Sequence, residues 1–402
     1  MGLNSSISGI NAAQQEMSVI SNNIVNAGTI GFKKGEAEFA EIYSSSVNQA
    51  GAAAGQGVEL TGIRSDFTQG EFEFTSSNLD LAIDGGGLFV LKEGAETFYS
   101  RAGSFRIDGD GFILNSAGQN LQGFQPDGRG AISEIVGDLR LDAALLEQKV
   151  TSLVTFKGNL DSRTTAPNLD FDINNPNSYC CTSSLLVYDS AGSQHELTLF
   201  FAKNVDDPES FDVYVAIDNV VQADQGLISF NPDGSLRVDS AAAFDITGYQ
   251  PEGAEAMDIT IDLVTVTSFG SASNTASIVQ DGYEAGELLA FGFDETGTLL
   301  AQYSNGETRA QGQVVLASFN NPSGLSPAGS SNYAQTDASG VPSLGEPSSG
   351  SRGFIRPSAL ENSNVDITAE LLALIEAQRN FQSNAQAIQS ENDASQAILQ
   401  LR

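Results

Sequence analysis

The sequence predicts a mainly β protein with an α-helix at each end of the chain. Three observations indicate this fold class. Apolar residues recur every seven positions near both termini, the segments between alternate apolar and polar residues, and turn-forming residues separate those segments. At 402 residues the chain is long enough for two or three domains. We therefore expect discontinuous, nested β domains and a terminal helical coiled-coil domain formed by both chain ends.

The N-terminal helix is predicted from a heptad pattern. Its seam positions hold Leu3, Ile10, Met17, Ile24, Ala13 and Ile20. A stripe this narrow is typical of a helix that packs along a single partner helix. We expect the helix to end before Gly28 and Gly31, because glycines interrupt such runs.

A second heptad pattern occupies the C-terminal end. Asp366 or Thr368 is the expected N-cap, and Glu370 lies in the first turn, where a carboxylate complements the helix dipole. The seam positions hold Ile367, Leu371, Leu374, Gln378, Phe381, Ala385, Ile388, Asn392, Ser395 and Leu399. We expect the two end helices to pair, within one chain or between copies. The alternative is that both helices pack on one globular core.

Strands are predicted between the ends. Apolar residues alternate with polar ones at Phe211, Val213, Val215 and Ile217, and again at Ile259, Ile261 and Leu263. Period two with an acidic outer face is typical of half-buried antiparallel strands. Composition changes near residues 140–150 and 280–285 predict that one β domain is inserted into another.

The expected domain limits follow from these changes. They are a terminal helical domain at 1–43 with 358–402, connecting segments at 44–70 and 320–357, an inner β domain at 71–144 with 284–319, and an inserted outer β domain at 145–283. Small and polar residues dominate 44–57 and 320–351, and this composition predicts flexible linkers.

The charge balance excludes several classes of partner. The chain carries 18 Lys and Arg against 51 Asp and Glu, a formal net charge of −33. We expect no binding to nucleic acid and no membrane insertion, since phosphate binding needs clustered cations and no run of 18 apolar residues occurs. The N-terminus shows no cationic segment followed by an apolar one, so no ordinary secretory signal is expected.

The residues also give little support for catalysis. There is no Trp and a single His, and no Cys-x-x-Cys, His-Glu-x-x-His or Walker-type motif occurs. We therefore expect no enzyme, no cofactor and no metal site. His195 precedes an apolar run and is interpreted as an exposed strand residue rather than a catalyst. An extracellular hydrolase that uses acidic residues is an alternative, but no convincing carboxylate pair lies in one motif.

Two glycine-rich motifs are interpreted as turns. Asp108-Gly109-Asp110-Gly111 superficially resembles a calcium loop, but the twelfth position is Gln119 rather than Glu, so a hairpin turn is the better interpretation. Gly85-Gly86-Gly87 precedes a strand-like run, whereas a dinucleotide site needs a helix N-terminus there.

The two cysteines, Cys180 and Cys181, are adjacent. A vicinal disulfide, two free thiols and a bond between copies are all compatible with the sequence. The favoured interpretation is an incidental pair in a loop of the outer domain.

Both ends resemble the flagellar rod and hook proteins. Ser21-Asn22-Asn23-Ile24-Val25-Asn26, followed by Thr29, Gly31, Phe32 and Lys33, is similar to the N-terminal signature of that family, although Val25 stands where Ala is more common. The C-terminal signature is matched by Ser363-Asn364-Val365-Asp366, Glu370-Leu371, Ala377-Gln378-Arg379-Asn380-Phe381 and Asn384-Ala385. The core strand is matched by 78–83 with 87–90, and by 101–105.

Length and two local features resemble the hook rather than the rod. Distal rod proteins lack most of what lies here between about 145 and 283. The segments 8–13, and 277–283 with 286–288, also look like those of hook proteins. A distal rod or other axial flagellar protein is the alternative within the family, and a secreted β-sandwich adhesin or binding module is the alternative outside it.

The resemblance implies a function and a location. It implies a structural subunit that polymerises into a flexible, hollow hook and transmits motor torque to the filament. It further implies export through the flagellar type III apparatus without a cleaved signal, and contacts with a hook cap protein, the distal rod protein and the hook–filament junction protein. The expected assembly interface comprises Leu3, Ile10, Met17, Ile20, Ile24, Asn26, Gly31, Phe32, Leu371, Leu374, Gln378, Phe381, Ala385 and Ile388.

Because burying these side chains barely offsets the entropy of ordering the ends, we expect the end helices to be disordered in the monomer. They would fold only as subunits assemble.

Overall fold

A computed structural model describes residues 2–42, 57–127, 131–167, 169–238, 240 and 243–400. The chain divides into two compact units. The first unit comprises Met1–Ala143, Ala290–Ala301 and Thr308–Arg402, and the second comprises Ala144–Leu289 and Gln302–Glu307. The predicted linker at 44–57 lies outside the described residues except for residue 57. The second unit is thus formed mainly by one internal stretch of the chain.

One helix lies at each end of the chain, as the heptad patterns predict. Helix α1 spans Gly2–Val25 and helix α2 spans Ile367–Gln400. Asp366 caps α2, because its Oδ1 accepts hydrogen bonds from the backbone N–H of Thr368 at 2.8 Å and of Ala369 at 3.2 Å. The predicted fold class, mainly β with helical termini, is confirmed.

Ten strands of the first unit precede the second unit among the described residues. They are β1 Gly35–Glu41, β2 Val58–Ser65, β3 Phe72–Phe74, β4 Leu81–Asp84, β5 Leu88–Glu93, β6 Glu96–Ser100, β7 Phe105–Ile107, β8 Ile113–Asn115, β9 Asn120–Pro126 and β10 Ile132–Asp138. Strands β1 and β2 form a separate two-stranded antiparallel sheet. The turn at 108–111 joins β7 to β8, so the hairpin interpretation of this motif is confirmed.

The second unit is a sandwich of two four-stranded sheets. Its strands are β11 Leu153–Asn159, β12 Cys181–Tyr188, β13 Gln194–Lys203, β14 Ser210–Ile217, β15 Val220–Ser229, β16 Ala243–Tyr249, β17 Met257–Asp262 and β18 Asn274–Gln280. One sheet has the order β12-β13-β14-β15 and the other β16-β17-β11-β18. The alternation prediction is confirmed, since the apolar residues of β14 and β17 are buried in one core shared by both sheets.

The remaining strands follow β18 along the chain. They are β19 Leu288–Phe293, β20 Thr298–Tyr303, β21 Thr308–Val314, β22 Leu316–Ser318, β23 Ser326–Gly329, β24 Asn332–Ala334, β25 Ser343–Gly345, β26 Phe354–Pro357 and β27 Ala359–Glu361. The central path of the large sheet runs β19-β20-β21-β9-β5-β6-β24-β23, while β26 pairs with β4 and β27 with β3. Strands from the two halves of the sequence are therefore hydrogen-bonded to each other.

The flexible-linker interpretation of 320–351 is wrong. This segment contains β23, β24 and β25, and it buries Leu325 and Tyr333 in an apolar cluster of the first unit. Its serines and glycines serve turns instead: Ser330, Ser331 and Gly340 adopt positive φ angles, which composition alone does not distinguish from flexibility.

Candidate assembly interface

Helices α1 and α2 of the same chain pack against each other in antiparallel orientation. Near the start of α1, a Cβ atom added to Gly9 would lie 2.8 Å from Asn384 Nδ2, so the two helices approach closely there. Near the end of α1, Asn23 Nδ2 donates a hydrogen bond to Glu370 Oε2 at 3.2 Å. Within one chain, the two end helices therefore pair with each other.

The buried face of α1 differs from the predicted seam. Ala13 and Ile20 are buried as predicted, but Val19 and Asn23 are buried with them. The large seam residues are only half-buried; they are Ile10, Met17 and Ile24. The reason is that α1 also packs on β1 and β2, so that two neighbours share its apolar surface. The side chain of Leu3 lies outside the described residues.

On α2, the predicted seam divides into two groups. Leu374, Phe381, Ala385 and Ile388 are half-buried, whereas Leu371 and Gln378 are exposed. Ala377, which belongs to the C-terminal signature, is buried, with 1% of its surface exposed, and it is the one buried residue among the side chains of α2 that the structure describes. Leu371 belongs to an exposed apolar surface, hereafter the α2 stripe, which consists of Ile367, Leu371, Leu372 and Ile375.

A like-charge contact lies between the helices. The pKa of Glu16 is raised, because burial disfavours its carboxylate and Glu376 adds a second negative charge nearby. Repulsion between these two acidic residues weakens the helix pair at neutral pH.

The chain after α1 is fixed by residues of the N-terminal signature. Asn26 Nδ2 donates to the carbonyl of Asn22 at 2.9 Å, and Asn26 Oδ1 accepts from Thr29 Oγ1 at 3.1 Å. Gly31 has a φ of +65°, and a Cβ atom there would lie 2.3 Å from the backbone nitrogen of Ala102. Only glycine fits this position without displacing the backbone.

Phe32 lies at a surface cavity of about 500 Å³. The cavity is also lined by Asn22 from α1, Ile63 from β2 and Tyr333 from β24. Phe32 is half-buried, so the cavity combines apolar and amide groups at the foot of α1.

A buried ion cluster connects both ends of the chain. Glu361 Oε1 accepts from Lys33 Nζ at 2.6 Å and from the N–H of Gly70 at 2.9 Å, and Glu361 Oε2 accepts from Arg101 Nη1 at 3.1 Å. The side chains of Lys33 and Glu361 are fully buried. Burial lowers the pKa of Lys33 and of Arg101, and the carboxylate of Glu361 counteracts this effect.

Sequence reasoning missed this cluster as a functional feature. Lys33 and Arg101 occur in the quoted signatures, but nothing in the sequence pairs them with Glu361, which is 328 positions from Lys33. A buried lysine or arginine needs an acidic partner. The two cations within otherwise apolar or glycine-rich signatures were therefore the sequence feature that could have indicated a buried ion cluster.

Two asparagines connect α1, β1 and the start of α2. Asn23 Oδ1 accepts from the N–H of Gly35, and Asn23 Nδ2 donates to the carbonyl of Gly35, both at 2.9 Å. Asn364 Oδ1 accepts from the N–H of Lys34 at 2.8 Å, and Asn364 Nδ2 donates to the carbonyl of Asp66 at 2.9 Å. Each amide thus satisfies backbone groups of another segment and fixes the helix ends to the β1–β2 hairpin.

His195 lies in the second unit. It is on a strand but is not exposed, since only 14% of its side chain is accessible. Its Nδ1 lies 2.5 Å from Asp218 Oδ2 and its Nε2 lies 3.3 Å from Asp189 Oδ2.

The two cysteines also lie in the second unit. Cys180 and Cys181 are free thiols with their sulfur atoms 3.4 Å apart. Within the described residues, no group of three His, Cys, Asp or Glu side chains has the geometry of a metal site.

No helix in the described part of the chain combines the length and apolar character needed to cross a membrane.

Comparison with protein-family models matches four successive parts of the chain. The flagella basal body rod protein model matches 3–33, and the flagellar hook protein FlgE/F/G D1 domain matches 82–158. The flagellar basal body protein FlaE D2 domain matches 159–283, and the flagellar basal body rod FlgEFG protein C-terminal model matches 356–401. Together with a β fold whose terminal helices pair, these matches define an axial protein of the bacterial flagellum.

Relatives match over the full length. The flagellar hook protein FlgE of Escherichia coli (strain K12) is 34% identical over 411 residues, covering 100% of both chains. That of Borreliella burgdorferi is 32% identical over 442 residues, covering 100% of this chain and 99% of the relative. The fold also resembles the crystal structure of Helicobacter pylori flagellar hook protein FlgE2, with a TM-score of 0.56, 12% identity, and coverage of 72% of this chain and 100% of that one. The chain therefore belongs to the flagellar hook protein family, whose members are structural subunits.

Proposed function

We propose that this chain polymerises into a flexible, hollow hook that transmits motor torque to the flagellar filament, and that it performs no catalysis. The observation that carries the proposal is the α2 stripe, in which four large apolar side chains remain exposed on a helix already paired with α1. Ile367, Leu371, Leu372 and Ile375 are 46–65% exposed. Apolar surface of this kind is stabilised by removal from water.

The occupant of the α2 stripe is a second copy of this chain. Family membership implies self-assembly, and contacts between copies that do not close on themselves generate an open helical tube. The cavity beside Phe32 supports this assignment, because it lies at the foot of α1 and offers apolar and amide groups to a neighbouring subunit. Leu374, Phe381, Ala385 and Ile388 would then hold α2 on α1 while the α2 stripe contacts the next copy.

The domain limits and outer partners are part of the same proposal. Residues 1–43 with 358–402 would form the inner layer of the tube, and 145–283 would form the outer domain. The hook cap protein, the distal rod protein, the hook–filament junction protein and the flagellar type III export apparatus are the partners that the family resemblance suggests. Export without a cleaved signal peptide would place the protein outside the cell.

Substitution of Leu372 by Gln tests the assembly role of the α2 stripe. Leu372 is 65% exposed, so Leu372→Gln should leave the folded monomer unchanged within about 0.5 kcal/mol while strongly reducing tube formation. Polymerisation of the purified chain is followed by light scattering and by electron microscopy of negatively stained samples. The matched control is Leu289→Gln, because Leu289 is 68% exposed but lies on β19.

Normal tubes from Leu372→Gln would contradict this use of α2. So would equal losses of polymerisation in the two variants, since the effect would then come from general surface polarity.

A further inference from the structure

Cys180 and Cys181 are held in contact by the local backbone. Successive side chains of an extended strand point to opposite faces, which separates adjacent side chains. Here the two sulfur atoms are 3.4 Å apart, because the chain bends at Cys180 immediately before β12 begins at Cys181. The N–H of Cys180 donates to the carbonyl of Phe201 at 2.8 Å, which fixes the bend to β13.

The two thiols have different surroundings. Both are half-buried against the core of the second unit. Cys181 also lines a cavity of about 220 Å³, together with Thr182, Ser273 and Asn274. Cys180 is not among the lining residues. Cys181 is therefore the cysteine that lies next to a molecule in the cavity.

The contact between the thiols makes them chemically unequal. The pKa of Cys181 is lowered, because the hydrogen bond between the two thiols favours its thiolate and the Ser273 hydroxyl adds to this effect, against the opposing effect of burial. The same hydrogen bond, together with burial, raises the pKa of Cys180. The thiolate is the nucleophilic form of cysteine. Cys181, which also lines the cavity, is therefore the more reactive of the two.

We propose that Cys181 and Cys180 form a thiol–disulfide couple, in which a low-molecular-weight disulfide in the cavity reacts with Cys181 and Cys180 then closes a vicinal disulfide. In the first step, the Cys181 thiolate attacks one sulfur of the small disulfide, whose sulfur–sulfur bond breaks and releases one thiolate. In the second step, Cys180 loses its proton and attacks Cys181 Sγ, which releases the second thiol. The protein loses two protons and two electrons, and one small disulfide becomes two thiols.

The closed form should be readily reduced. Adjacent Cα atoms across a trans peptide are about 3.8 Å apart, whereas unstrained disulfides span about 4.4–6.8 Å between Cα atoms. The mismatch makes a vicinal disulfide easier to reduce than an ordinary structural one, so the modification is reversible. This inference concerns the second unit alone and does not depend on polymerisation.

Reaction of the full-length protein with oxidised glutathione tests the couple. After alkylation of remaining thiols, intact-mass and peptide mass spectrometry should show that the wild-type protein has lost two hydrogen atoms, carries no glutathione and contains a Cys180–Cys181 bond. Cys180→Ser should accumulate one glutathione on Cys181. Cys181→Ser should react at least about tenfold more slowly, since the remaining thiol of Cys180 is half-buried and does not line the cavity. Dithiothreitol should restore both thiols.

Three results would overturn the proposal. They are two alkylatable thiols in the treated wild-type protein, a disulfide between two protein molecules as the main product, and equal glutathione uptake by the two single variants. Circular dichroism melting of each variant before treatment ensures that the comparison is made between folded proteins, and Cys180→Ala provides a second variant should Cys180→Ser unfold.

Discussion

Glu361 connects segments from the two ends of the sequence. Its carboxylate is fully buried and accepts hydrogen bonds from Lys33, Gly70 and, through the other oxygen, Arg101. A buried carboxylate is tolerated only where such partners replace water. This cluster therefore couples the segment after α1 to the segment before α2, and its loss should unfold both together.

Removal of Lys33 tests that coupling. Lys33→Ala should destabilise the first unit by about 3–5 kcal/mol, because Glu361 loses one of its buried cations. The neighbouring Lys34 is the matched control: its ammonium is partly exposed and contacts Glu36 and Asp66, so Lys34→Ala should cost about 0–1 kcal/mol. Urea unfolding followed by circular dichroism measures both. Equal effects of the two substitutions would show that the buried cluster has no special role.

His195 predicts a pH dependence of the second unit. Burial lowers its pKa, but Asp218 and Asp189 outweigh burial and raise the pKa overall; Tyr249 donates to the same Asp218 oxygen at 3.1 Å. A raised folded-state pKa means that the stabilisation is complete below the unfolded value of about 6.5 and is lost as pH rises through the folded value.

The His195→Gln variant measures this contribution. It should remove about 1 kcal/mol of stability at about pH 5.5 and progressively less at higher pH, where the wild-type imidazole is neutral. Thermal melts of both proteins from about pH 5.5 to 8.5 give the comparison. Parallel pH profiles for the two proteins would rule out His195 as the titrating group.

At the scale of elements, the pairing of α1 with α2 is the feature that matters for assembly. Two of the buried residues on these helices are small, Ala13 on α1 and Ala377 on α2, and most of the large seam residues are only half-buried. Small residues allow close approach but bury little apolar area. The pair therefore has modest stability in one chain, and contacts of the α2 stripe with another copy would add the rest. Marginal helicity of the ends in the monomer stays a prediction.

The charge of Glu16 makes the predicted stability of the helix pair depend on pH. Its raised pKa means that its charge opposes helix pairing at neutral pH and that the opposition disappears as pH falls through the raised value. Glu16→Gln should stabilise the pair by about 0.5 kcal/mol at neutral pH, after allowance for solvent screening. Hydrogen exchange of α1 amides measures the gain.

The control for that substitution is Glu96→Gln, which changes the same charge at an exposed position on β6. Faster amide exchange in α1 of Glu16→Gln than in the wild-type protein would contradict the like-charge contact.

For the whole molecule, charge sets the conditions of assembly. A formal net charge of −33 makes copies repel one another, and salt screens that repulsion over about 10 Å at 0.1 M ionic strength. The subunit concentration required for tube formation should therefore fall severalfold between about 0.05 and 0.5 M NaCl. Light scattering measures this, with sucrose of equal osmolality as the control for crowding and hydration. A requirement that rises with salt would indicate assembly through ion pairs instead.

The sequence by itself determined the fold class, both helices, and the alternating strands β14 and β17 of the second unit. Each of these predictions depends on the spacing of apolar residues. That spacing is a local property, because it reflects which residues of one helix or strand lie on the same face. It also indicated that α1 ends before Gly28 and Gly31, because turn chemistry is local, whereas Asn26 was indicated only by the family resemblance. The linker interpretation of 320–351 failed, since serine and glycine serve tight turns as readily as flexible chain.

Only the tertiary structure decided which faces are used. Both α2 and the β1–β2 hairpin pack on the apolar surface of α1, while Leu371 and Gln378 remain exposed. Lys33 forms an ion pair with Glu361, which lies most of the sequence away. Contacts between distant segments depend on how whole elements pack, and no local pattern encodes that choice. The bend that brings Cys180 against Cys181 is likewise set by the pairing of β12 with β13.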